Sequence, residues 1–158
     1  MDSIILARAL HVLAVVIWIG GVAMATTVVI PAVRRGAFGE DRLRAFQAVE
    51  HRFAWQARIA TLIVAITGFY MVWRLDLWSR FHSLDFWWMH AMVCVWAIFT
   101  FFLFIGEPFI LHRRLARWIE ADPERTFARI GRMHWVLLIL ALITVFGAVA
   151  GAQGWMLF

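Results

Sequence analysis

Four apolar stretches, near Ile4 to Val33, Phe53 to Trp73, Phe86 to Leu111 and Trp135 to Phe158, dominate the chain. Each reaches the roughly 20 residues that a helix needs to cross a bilayer core. With 64% of its 158 residues hydrophobic and a mean hydropathy of +0.81, the chain has more apolar surface than one soluble core of this size can bury. The expected fold is all-α: a single integral membrane four-helix bundle spanning residues 1–158, with helices at about 3–33, 43–74, 84–114 and 123–157. Asp2 or Ser3 caps the first helix, and Pro31 with Gly36 ends it. Asp122-Pro123-Glu124 supplies the cap, first-turn proline and first-turn acid of the last helix. Pro108 after Gly106 loosens the third helix near Glu107.

All 15 basic residues are arginine, and their placement sets an expected topology. Arg34, Arg35, Arg42, Arg44 and Arg52 flank the first loop, and Arg113, Arg114, Arg117, Arg125, Arg129 and Arg132 the third. The second loop has only Arg74 and Arg80, offset by Asp76 and Asp85. By the positive-inside rule the first and third loops are cytoplasmic and both termini lie outside. The pI of 11.2 therefore reflects topology, not a nucleic-acid surface, and the partner is the lipid bilayer. The first stretch is too long for a signal-peptide core and has no Ala-x-Ala exit, so it is expected to stay. One cysteine excludes an internal disulfide. Much of the aromatic load of ten Trp and 14 Phe falls at the predicted interfaces, as anchoring requires. Gly147 and Gly151 pack either within the bundle or against a second copy in a homo-oligomer, with packing inside the bundle favoured.

The candidate chemistry rests on histidines and one intramembrane arginine. His11 and Trp18 are seven residues apart and share a helix face, beside Gly20 and Gly21, which admit a neighbouring helix or a flat ligand. On the third helix His90 and His112 fall within about 40° of each other, roughly 33 Å apart along the axis. His11 and His90 lie at matching depths, about 13 Å and about 12 Å outward of their midpoints. Two inward histidines at one depth suit a metal or the axial positions of a b-type haem. His51, His112 and His134 form a second group at the cytoplasmic ends, read first as interfacial residues and second as a further metal site. Arg58 is costly inside the membrane, so it either snorkels or binds a propionate or quinone oxygen, and Glu107 is its charge partner. His90 and Cys94 form an i, i+4 pair with Met89 and Met92 nearby and Met24 deeper, which gives copper as the alternative ligand.

Ala9-Leu10-His11, Trp18-Ile19-Gly20-Gly21, Glu50-His51-Arg52-Phe53, Trp88-Met89-His90 and the distal His112 resemble the CopD-like and HemJ-like families of small bacterial four-helix membrane proteins. The resemblance implies residence in the bacterial inner (cytoplasmic) membrane. HemJ-like proteins bind haem b through a first-helix histidine and oxidise protoporphyrinogen, whereas CopD-like domains are tied to copper. A lysine that HemJ-like proteins carry two positions after the third-helix histidine is Met92 here. The expected function is therefore a haem b membrane cytochrome, an oxidoreductase between an outer-face donor and a quinone-like acceptor. Its expected cofactor site is His11, His90, Trp18 and Arg58, and its alternative is copper binding or transport through Cys94 and Met92.

Overall fold

A computed structural model describes residues 1–37, 39, 42–111, 117–119 and 121–155. All the regular structure in it is helical. Four helices are long and apolar enough to cross a membrane: Asp2–Arg34, Phe46–Arg74, Leu84–Glu107 and Pro123–Ala152. The chain is a multi-pass membrane protein. Its outer surface is apolar all round, with Ile5, Val16, Ile66, Phe146 and Val149 turned outward, as contact with lipid requires.

The first span is α1 (Asp2–Met24), a π-helical segment (Ala25–Val29) and α2 (Ile30–Arg34). The π segment has a local cause. Thr26 and Thr27 donate their hydroxyls back to the Val22 and Ala23 carbonyls, at 2.6 and 2.8 Å, while Pro31 has no N–H and its ring crowds the carbonyl four residues before it. The second span lies in α3 (Arg42–Arg74), the third begins with α4 (Trp87–Phe101), and the last is α5 (Pro123–Ala152). Asp122 caps α5 by accepting from the Arg125 N–H at 2.9 Å, as its sequence indicates.

Three helices close in the same way. At α2 the Ala37 N–H reaches the Ala32 carbonyl and the Gly36 N–H reaches Val33; at α3 Leu77 reaches Val72 and Asp76 reaches Trp73; at α5 Trp155 reaches Ala150 and Gly154 reaches Gly151. The residue at the turn needs a left-handed backbone, which Gly36 (φ 77°) and Gly154 (φ 86°) adopt freely and Asp76 (φ 49°) adopts without that freedom. The last helix thus ends at Ala152, short of the predicted 157, because Gly154 turns the chain. The third begins after two 3₁₀ turns, Trp78–His82 and Leu84–Phe86, which fold the second connection back over the helix ends.

α1 packs chiefly against α3, and α4 against α5. Small residues set the first contact, with Ala7, Ala14, Ala57 and Ala60 all buried and the Phe53 ring seated where a side chain on Gly21 would stand. The second contact uses Gly147 and Gly151: a Cβ on either would meet the Trp87 or Trp88 ring at 2.4 and 2.6 Å. That pair is consumed inside the chain. Trp18 sits edge-on to Phe99 at 4.9 Å in the central cluster with Val22, Leu138 and Ala141. A second cluster of Ile30, Val33, Phe46, Ile119, Phe127 and Ile130 closes the arginine-rich end.

Candidate cofactor cavity

Among the described residues, α3 is tied to the third span by polar bonds at mid-bundle and toward the arginine-rich end. Pro108 lies within a π-helical segment, Phe102–Leu111, where the sequence predicts a loosened helix. In a register of five the Leu103 carbonyl faces residue 108, and a proline there offers no N–H. Arg58 fills the vacancy: its Nε and Nη2 both donate to the Leu103 carbonyl at 3.1 Å. Its Nη2 also donates to Glu107 Oε2 in the expected ion pair, and its guanidinium stacks on Trp55 at 5.8 Å. Glu50 lies close enough to both charges to interact electrostatically with each. One turn further on, Trp96 Nε1 donates to the Thr61 carbonyl at 3.0 Å.

Toward the start of α1 the same two helices border a cavity of about 280 Å³. Arg8 and His11 of α1, Gly68, Phe69 and Met71 of α3, Arg80 and Phe81 of the connection, Trp88, Met89, Met92 and Trp96 of α4, and Ala152 of α5 are among its walls. The start of α1, the end of α5 and the second connection therefore share one end. Phe69 and Val93, one from each helix, line the cavity and are also exposed, so it reaches the lipid-facing surface beside them.

His11 is held at one edge. Thr67 donates its hydroxyl to the Ile63 carbonyl at 2.6 Å, which leaves Oγ1 as acceptor for His11 Nδ1–H at 3.0 Å. That bond puts the proton on Nδ1 and the lone pair on Nε2. Gly68 lets the ring approach, since a Cβ there would stand 3.2 Å from His11 Cε1. Thr67, Gly68, Arg8 and Arg80 escaped the sequence reading. A threonine beside a glycine, at the level of a histidine on the neighbouring helix, was the available signal.

Of the expected cofactor residues, His11 alone lines the cavity. His90 is at the right depth, because Met89 beside it lines the same space, but its imidazole is turned to the connection. There Nε2 faces the Phe81 carbonyl at 3.1 Å and Nδ1 the Phe86 carbonyl at 3.3 Å, with the Phe81 ring edge-on at 5.6 Å. No lone pair is presented to the cavity by a ring whose two nitrogens face carbonyls. Trp18 is core, 3% exposed, and Arg58 is occupied by Glu107 and Leu103, so neither borders this space. Met92 lines it, whereas Cys94 is exposed on another face of α4.

The second histidine group is not assembled among the described residues. His51 is exposed, His134 turns its Nδ1 to the Ile130 carbonyl of its own helix at 3.0 Å, and His112 lies outside the described residues. No three His, Cys, Asp or Glu side chains among the described residues converge as a metal cluster. No family model, curated protein or solved structure matches the chain.

Proposed function

We propose that the chain is a haem b membrane cytochrome in which His11 supplies an axial ligand, with the arginine-rich end in the cytoplasm of a bacterial inner membrane and the cavity toward the outer face. The observation that carries this is the Thr67-held His11, which carries its lone pair on Nε2 and lines a largely apolar, aromatic-walled cavity. Arg8 and Arg80 belong to the same walls, and Arg80, whose guanidinium stacks on Phe86 at 4.9 Å, and Arg8 suit the carboxylates of an anionic ring substituent. Trp88, Trp96 and Phe69 offer flat apolar surface. The cavity, at about 280 Å³, falls just below the roughly 300–1,000 Å³ range of ligand sites. The gap beside Phe69 and Val93 leaves the remaining edge of a flat ring room in the lipid phase.

Haem b supplies a one-electron couple, which fits an oxidoreductase passing electrons from an outer-face donor to a quinone-like acceptor. The chain's own part is to ligate through His11, fix that imidazole through Thr67, meet negative charge with Arg8 and Arg80, and exclude water with the aromatic wall. Protein purified gently from haem-replete cells should show a Soret band and sharpened reduced bands. His11→Ala should abolish them, whereas His90→Ala should retain the Soret absorbance. Colourless wild-type protein, or colour that survives His11→Ala, overturns this reading.

Copper is the second reading, favoured by three thioethers, Met71, Met89 and Met92, on the same walls as His11. Its donor set differs from the Cys94 and Met92 pair that the sequence suggests. Metal analysis in the same experiment separates the two, since copper retention should fall in Met89→Leu/Met92→Leu while a Soret band should not.

A further inference from the structure

We propose that the arginine-rich end carries a binding site for the phosphodiester of a membrane phospholipid, built by Arg34 and Arg35 at the end of the first span. A recess of about 350 Å³ there is lined by Pro31, Arg34, Arg35 and Glu124. It is distinct from the His11 cavity and shares no residue with it. Its floor is fixed: Ile30 and Val33, 2% and 0% exposed, anchor α2 in the second core cluster, and Gly36 closes the helix in a left-handed turn. The two guanidinia are therefore presented from a rigid stem instead of trailing from a loop.

Charge and shape identify the ligand class. Among the described residues neither Arg34 nor Arg35 pairs with a carboxylate, although Glu124 borders the recess. Two guanidinia side by side at the end of a span attract an anion, and a phosphodiester joins that charge to an apolar body. Arginine also suits phosphate oxygens geometrically, through its planar fork of donors. One and two turns toward the membrane centre, Val28 and Met24 stand 55% and 60% exposed, so acyl chains have an apolar track leading away from the recess. A polar recess that continues into an exposed apolar strip fits an amphiphile, and basic residues at this end of a membrane protein face an anionic leaflet.

The test is native mass spectrometry of the full chain with phosphatidylglycerol and phosphatidylcholine in one detergent. The net negative lipid should be retained about tenfold more than the zwitterionic one, since two arginines at a membrane surface supply that order of preference. Arg34→Gln/Arg35→Gln should reduce the ratio to below about twofold, while the charge-matched Arg52→Gln/Arg132→Gln should keep most of it. If the double variant melts below the wild type in detergent alone, Arg35→Gln by itself should still lower the ratio about threefold. Equal retention of the two lipids, or a preference that the control pair removes as completely, overturns the site. Stabilisation by millimolar inorganic phosphate equal to that by phosphatidylglycerol overturns the lipid assignment.

Discussion

Methionine at Arg58 and Glu107, singly and together, followed by Pro108→Ala, dissects the polar lock between α3 and the third span. The two charged side chains are only 18% and 15% exposed, so solvent does little to compensate either one left alone. Glu107→Met leaves Arg58 bonded to the Leu103 carbonyl with Glu50 still near, which puts its cost at about 3 kcal/mol, the low end for one-sided loss of a buried pair. Arg58→Met strands a carboxylate and a carbonyl together, at about 3–5 kcal/mol for the charge and about 1–3 for the carbonyl. The double variant removes the stranded Glu107 carboxylate and leaves the Leu103 carbonyl, at about 1–3 kcal/mol, beside a Glu50 that has lost Arg58 in both variants. Pro108→Ala in that background restores an N–H for the orphaned carbonyl and should recover much of the loss. In the wild type, where Arg58 already serves it, the same change should do less. At about 2–4 °C per kcal/mol for a chain of this size, Arg58→Met should melt roughly 6–20 °C below the double variant. Tryptophan fluorescence in one detergent at one scan rate reads the series. A double variant that melts no higher than Arg58→Met refutes the pairing, and equal increments from Pro108→Ala in both backgrounds refute the assignment of the Leu103 carbonyl.

Thr67→Val keeps the volume but removes the acceptor for His11 Nδ1–H, so haem affinity should fall about 10–100-fold in titration of the apoprotein while the melt is little changed. Gly151→Val should destabilise by at least about 1–3 kcal/mol through collision with the Trp88 ring, whereas Gly20→Ala, which meets nothing within 4 Å, should be neutral or raise the melt through helix propensity. Asp76→Gly should stabilise by about 0.5–1 kcal/mol by relieving the left-handed turn at the end of α3, and a lower melt would mean that Asp76 makes compensating contacts.

What the sequence made legible was whatever depends on counting residues along an axis. Four apolar windows specified the spans, Asp122-Pro123 the start of α5, and rise per residue the level at which Arg58 meets Glu107. Depth also held for His11 and His90, since Met89 and His11 border one cavity. Rotation about the axis was harder, because a face is inward only relative to the helices that cover it. An apolar span looks much the same from every side. The π segments add to this: a register of five shifts the faces that follow, and Thr26-Thr27 before Pro31 is a subtler mark of it than a proline alone. His90 was further misread because its partner carbonyl, Phe81, belongs to the folded connection, where no helical period applies.

The lock and the cavity are two consequences of one arrangement. α3 and the third span are pinned where Trp96 meets Thr61 and Arg58 meets Leu103 and Glu107, and the cavity lies between them on the side nearer the start of α1. The cavity lies away from those pins, so His11 borders it while Arg58, saturated by a carbonyl and a carboxylate, does not. An intramembrane arginine is commonly read as a ligand-binding charge. Here its function is set by a proline 50 residues later in the chain, whose missing N–H leaves a carbonyl in need of a donor. Loss of the pins should therefore reach the cavity as well: Arg58→Met frees the third span to shift against α3 and should weaken ligand retention near His11 without touching any residue that lines it.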